Sequence, residues 1–288
     1  MIEQPIFVIG AGRSGSSIFH QTFTEHPHVA WMSVLCDRHP DRLALHRALM
    51  RGIDLPLVGR PLKRHYESAE CYEFWDRYFR GFSRPCRDLC AEDATPHVIA
   101  NLRQAAQGLV TRHRPRLLVK ITGWPRLGFL HAVFPEARFV HVYRDGRAFA
   151  NSLLQVDFWL GWRGPGQWRW GQLDETLQQE WEQHDRSFVA LAGIQWKLLM
   201  RAMEKAKQSI PASNLLEIRY EDFATRPVDT FRDVAAFCGL DWDSRFERTL
   251  STYRIENANY KWQQDLSPAQ QRVLLKVLGE DLQRYGYA

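Results

Sequence analysis

The chain has 288 residues, 45% of them hydrophobic and 25% charged. These values lie near the globular average, so a packed core can form and wholesale disorder is excluded. The formal net charge of +5 suits an anionic ligand, yet no block of like charges reads as a binding arm, and no nucleic-acid partner is expected.

In chain order, PIFVIG at residues 5–10 is a short apolar run that reads as a strand buried on both faces. AGRSGSS follows, and IFHQTFTEH continues as a helix that His26-Pro27 stops. Between residues 28 and 100, HVAWMSV reads as a second strand and residues 69–80 as a helix. The rest of that stretch is punctuated by proline and rich in His, Arg and aromatics. Residues 98–113 read as helix, RLLVKIT (116–122) as strand and residues 126–134 as a short helix. ARFVHVY (137–143) is a clear strand, and RDGRAFANSLLQV turns into a helix after it. Five tryptophans, Trp159, Trp162, Trp168, Trp170 and Trp181, crowd a segment that is loop between Gly161 and Gly171. One long helix, with room for a break, is expected over 174–207, and a strand in NLLEIRYEDF ending near Tyr220. Pro227 opens a helix that Gly239 closes, and Ser267-Pro268 caps the last one. Strands alternating with helices predict an α/β fold with a mostly parallel central sheet flanked by helices.

The N-terminus lacks a basic stretch leading into an apolar run, and no run of ~18 apolar residues occurs. The cysteines are Cys36, Cys71, Cys86, Cys90 and Cys238. Only Cys86 and Cys90 are close, and a zinc site needs a second pair. The expectation is a cytoplasmic protein with reduced thiols, no transmembrane segment and no metal. Oligomeric state is not legible.

Two segments carry chemistry. Gly10-Ala11-Gly12-Arg13-Ser14-Gly15-Ser16-Ser17 has the glycine spacing of a nucleotide P-loop, in which successive N–H groups and a helix N-terminus bind an anion. A P-loop NTPase places Lys directly after the second glycine of that spacing. Here Ser16 stands there and the cation is Arg13, which suits a smaller anion with the charge near a bridging or transferring oxygen. A glycine-rich turn with no ligand is the alternative. In the second segment Arg144 follows the VHVY strand and Ser152 lies eight residues on. Placed at the sheet edge and two turns up the next helix, the pair can grip one phosphate from two sides. A surface arginine paired with a neighbouring acid is the alternative there.

In these residues the sequence resembles the sulfotransferases that use 3′-phosphoadenosine 5′-phosphosulfate (PAPS). IFVIGAGRSGSSIF is similar to their 5′-phosphosulfate loop and FVHVYRDGRAFANSLL to their 3′-phosphate motif, with Arg and Ser eight apart. IRYEDF and the helix ending in FCGL are similar to the family's later strand and helix, and Lys261-Trp262 resembles its lysine-containing end segment. The resemblance covers most of the chain outside residues 30–115. It implies a P-loop-NTPase-like sulfotransferase fold in a single domain, residues 1–288, with about 30–115 as an acceptor-site insertion. It implies Arg13 at the phosphosulfate and Gly12, Ser14, Gly15, Ser16 and Ser17 around the 5′-phosphate. Arg144 and Ser152 would then hold the 3′-phosphate, with Tyr220 beside the adenine and Lys261 over the nucleotide. Lys120 matches the lysine before the family's strand-end catalytic segment. Two positions depart from the cytosolic branch. Ile18 stands where an aromatic stacks on adenine, and Thr122 where a catalytic histidine lies.

The implied reaction moves a sulfuryl group from PAPS to a hydroxyl or amine of a small-molecule, sugar or lipid acceptor, releasing 3′-phosphoadenosine 5′-phosphate (PAP). Such a direct in-line transfer needs a base and cations for the departing phosphate. Arg13 and Lys120 are the expected cations. Glu70, expected on a helix, is the first choice of base, with Asp37 and His65 next and Glu67 behind them. Trp31, Trp75 and the 159–181 tryptophans either line an acceptor pocket or pack in the core. Two rivals remain at this stage: a P-loop nucleoside or sugar kinase, which predicts dependence on magnesium, and a PAP-binding protein without catalysis.

Overall fold

The apolar runs form five parallel strands. They are β1 (Ile6–Gly10), β2 (Val29–Trp31), β3 (Arg116–Thr122), β4 (Arg138–Tyr143) and β5 (Leu215–Arg219). Their order across the sheet is β2-β3-β1-β4-β5. In this computed structural model, which describes residues 3–83 and 86–287, every strand pairing is parallel. β1, β3 and β4 therefore end side by side, and the chain leaves all three at one edge. That edge is where open α/β sheets bind ligands.

Alternation along the strands sorts side chains to two faces. Phe7, Ile9, Leu117, Val119, Ile121 and Phe139 enter one core cluster, while Ile6, Val8, Leu118, Val140 and Val142 enter another. Lys120 and Thr122 share the parity of Leu118, and Lys120 meets the helix Ser16–Phe23 that follows the glycine loop. Met32, Met50, Phe74, Trp75, Phe82 and Leu102 join the first cluster, so the segment expected as an insertion also covers one face of the sheet.

Several boundaries differ from expectation. Between residues 30 and 66 the chain forms three helices, Val34–Arg38, Leu43–Ile53 and Gly59–His65. Pro40 and Pro56 fall between them, and Pro61 sits in a first turn, where its missing N–H costs nothing. The helix expected over 69–80 spans only Tyr72–Tyr78, because Cys71 before it is left-handed (φ 54°). The one expected over 98–113 is Pro96–Gln107, started by the Thr95 side chain and a first-turn proline. The long helix breaks into Glu175–Gln183 and Phe188–Ala206, with Asp185 and Arg186 at positive φ between them. Tyr220 opens a short helix rather than ending β5. The helices Pro227–Cys238, closed by Gly239 at φ 63°, and Pro268–Arg284, with its Ser267–Gln270 capping box, follow the sequence. Among the described residues no helix is long and apolar enough to cross a membrane.

Two histidines are buried as neutral rings. Burial, then the nearby Lys120 charge, pulls His20 from the ordinary 6.5 to about 3, and burial pulls His46 to about 4. The unfolded chain binds protons on both rings that the folded one refuses. Their contribution to stability is therefore complete above about pH 6.5 and is lost as pH falls through the folded values. We expect the thermal midpoint to drop as pH falls from 6.5 toward 4, and His20→Gln to make that drop shallower. Equal slopes in a pH series of melting curves would contradict the assignment.

Candidate functional site

The chain between β1 and its helix can turn only through left-handed backbone. Gly12, Arg13 and Gly15 stand at φ 66°, 53° and 85°, a geometry that turns successive N–H groups to one side. Gly15 also has no room for a side chain, since a Cβ there would lie 2.1 Å from the Tyr220 ring. The helix Ser16–Phe23 begins without a side-chain cap, as do several other helices, among them Leu43–Ile53 and Pro227–Cys238. Ser14 Oγ is buried with no partner among the described residues. Uncapped N–H groups and an orphan buried hydroxyl together fit an anion that accepts several hydrogen bonds.

The second segment folds against the first. Arg13 Nε donates to Ser152 Oγ at 3.0 Å. Arg144, 8% exposed, lies 4.6 Å over the Tyr220 ring. Its Nε donates to Asn259 Oδ1 at 2.6 Å and its Nη1 to the Arg13 carbonyl at 3.5 Å. Burial lowers its affinity for a proton, partly offset by Tyr220 and Glu221. Two arginines and a serine from the segments that follow β1 and β4 thus meet beside a tyrosine just after β5. Lys261 stands farther out, half-buried and 3.4 Å from Glu256. Glu256 in turn accepts the Tyr220 hydroxyl on its backbone oxygen.

The strand-end residues of β3 complete the site. Lys120 Nζ donates to Ser17 Oγ at 2.7 Å and pairs with Glu70 Oε1 at 3.0 Å. Thr122 Oγ1 donates to Glu70 Oε2 at 2.8 Å, and the Tyr72 hydroxyl donates to the Thr122 carbonyl at 3.0 Å. Burial, then the Glu70 carboxylate, pushes the Tyr72 phenol up to about 12. Glu70 lies in irregular chain two residues before a helix, not within one. Arg13, Ser17, Glu70, Tyr72 and Thr122 form the floor of a cavity of about 480 Å³. Trp124, Trp159, Trp168 and Trp170 line it together with Arg126, Arg169, Gln167 and Gln195, and Phe158 and Leu160 are exposed lining residues.

The other base choices are elsewhere. Asp37 accepts the Glu73 N–H at 3.1 Å, at the start of the helix Tyr72–Tyr78. His65 is exposed at the end of its helix against Tyr66. Glu67 lines a different groove. Trp31 and Trp75 are core residues, and Trp181 donates its N–H to the Ser187 carbonyl. Tyr72, Asn259 and Arg126 escaped sequence reading. Arg126, 2% exposed, lines the cavity and donates to the Trp124 and Phe82 carbonyls at 2.6 and 3.0 Å. Only long-range packing brings these three to the site, so no local motif marks them.

A model described as the sulfotransferase family matches residues 5–244. An omega-hydroxy-beta-dihydromenaquinone-9 sulfotransferase of Mycobacterium tuberculosis is 23% identical, the match spanning 99% of this chain and 76% of that protein. Among solved structures, a Mycobacterium avium sulfotransferase superposes with a TM-score of 0.60 at 16% identity, over 100% of this chain and 78% of the other. The sulfotransferase domain of the curacin biosynthetic pathway superposes at 0.54 and 12% identity, over 99% and 98%. Both structural likenesses are statements about fold.

Gly15 offers a direct check on the loop. Gly15→Ala meets both a positive φ and the Tyr220 ring, and we expect it to destabilise the protein by about 2–4 kcal/mol in urea unfolding. A loss below about 1 kcal/mol would mean that the loop is not held as described.

Proposed function

The chain belongs to the sulfotransferase family, and from that premise we propose that it moves a sulfuryl group from PAPS to a hydroxyl on an acceptor with an apolar body. The observation that carries this reading is the Lys120–Glu70–Thr122 cluster. It joins a cation and the loop helix to a carboxylate and a threonine that line one cavity with four tryptophans. The mycobacterial relative acts on a hydroxylated menaquinone, and walls of tryptophan and phenylalanine suit an acceptor of that apolar class.

In the reaction we infer, the loop N–H groups and Ser14 bind the 5′-phosphate, and Arg144 with Ser152 binds the 3′-phosphate. Tyr220, already under the Arg144 guanidinium, takes the adenine. Glu70 takes the proton from the acceptor hydroxyl. The acceptor oxygen forms a bond to sulfur as the bond from sulfur to the 5′-phosphate oxygen breaks, and the electron pair leaves on PAP. Arg13 and Lys120 stabilise that growing charge. Thr122 occupies the place of the family's histidine and, by donating to Glu70, orients the carboxylate that does the histidine's work.

Five free cysteines, three of them buried, support a reducing, cytoplasmic setting. The kinase alternative needs a lysine at Ser16 and an acid after β4, where Arg144 stands.

Two measurements test the reading. Calorimetry should give PAP binding without magnesium, weakened about 100-fold in Arg144→Ala, because a buried guanidinium–phosphate contact is lost. Binding of ATP with magnesium in place of PAP would support the kinase instead. Glu70→Gln should lower kcat by about 10²–10⁴-fold, as expected for loss of a general base, with PAP affinity little changed. A kcat within a few-fold of wild type would remove Glu70 from that role.

A further inference from the structure

The turn between the helices Leu43–Ile53 and Gly59–His65 exposes apolar side chains that the transfer site does not use. Leu55, Leu57 and Val58 are 57%, 96% and 46% exposed. Leu57 also holds φ 70°, a left-handed backbone that Gly or Asn adopts with less strain. A turn needed only for chain reversal gains nothing from leucine here. Strained backbone and an exposed aliphatic side chain at one position mark a contact surface.

Directly behind this tip the helix Gly59–His65 faces the helix Ser244–Thr252 across a groove of about 890 Å³. Arg60, Arg64, Arg245 and Arg248 line the groove and are exposed. None of the four is ion-paired among the described residues. Lys63 is already held by Glu25 at 2.8 Å, so Glu67 is the acid left to oppose them.

We propose that the Leu55–Val58 tip and the arginine groove form a docking surface for an anionic phospholipid bilayer, the leucines entering the interface and the arginines taking headgroup phosphates. Charge complementarity selects an anionic partner, and guanidinium forks match phosphate oxygens. The apolar part is a projecting tip rather than a flat face, a shape that enters a fluid interface more readily than it fits a folded protein. The surface stands independently of the group transferred, and its test uses no nucleotide.

The test is vesicle flotation of the full chain with phosphatidylcholine alone and with phosphatidylcholine mixed with phosphatidylglycerol. Wild type should float only with the anionic vesicles. Leu57→Gly, which relieves the backbone, and the Arg245→Glu/Arg248→Glu double variant should each reduce the floated fraction at least fivefold. Both should keep wild-type melting temperature and PAP affinity. No flotation of wild type, equal flotation on neutral vesicles, or unchanged flotation of either variant overturns the proposal. So does a concentration-dependent dimer that Leu57→Gly abolishes, which would make the tip a contact between two copies of the chain.

Discussion

The ammonium of Lys120 connects the parts of this molecule that chemistry needs together. It rises from β3, donates to Ser17 at the start of the loop helix and pairs with Glu70 in the cavity lining. Glycine loop, central sheet and cavity lining are thereby joined through one side chain. Lys120 and Glu70 are both largely shielded from solvent, so the pair is weakly screened and removing either member leaves a poorly solvated charge. The parity of β3 makes this possible: Lys120 and Thr122, two residues apart, share a face and reach the same carboxylate.

The rest of the site is built around holding cations with little water. Arg144 is fixed by Asn259, the Arg13 carbonyl and the Tyr220 ring, and Arg126 by three backbone carbonyls and the Phe82 ring. Asp88 accepts the Arg126 N–H at 2.7 Å, and burial raises that carboxyl to about 6. The guanidinium contacts use backbone and amide oxygens and ring faces, so the groups are oriented by neutral partners. Arg144 so arranged suits an anion delivered from solution, while Arg126 ties the strand-end loop to the turns that wall the cavity. Charge stabilisation is most effective when the groups need not reorganise.

What could be read from the sequence was what is local in it. The glycine loop, the Arg144–Ser152 spacing and the strands that precede them are contiguous segments, and their backbone chemistry fixes their shape. Glu70 was legible as a residue but not as a position, because the left-handed Cys71 delays the helix expected to carry it. Thr122 read only as a missing histidine, since its bond to Glu70 joins positions 52 apart in the chain. Asp37 and His65 were reasonable by residue type, but the orientation of the short helices bearing them was invisible, and they point elsewhere. The acceptor cavity draws on β3, the 70–72 and 158–170 segments and Gln195, and no single window of sequence displays such an assembly. The helices between residues 34 and 65 were missed for another reason: their prolines sit at boundaries, where they permit helices rather than break them.

The central claim is that the glycine loop and the Arg144–Ser152 pair grip the two ends of one nucleotide while Lys120 and Glu70 face its transferable group. A crystal structure with PAP bound tests it most directly. The account predicts the 5′-phosphate among the N–H groups of residues 12–17 within reach of Lys120, the 3′-phosphate between Arg144 and Ser152, and Glu70 open to the tryptophan-lined cavity. PAP bound in the arginine groove, or held at the sheet edge with its 3′-phosphate away from Arg144, would contradict it.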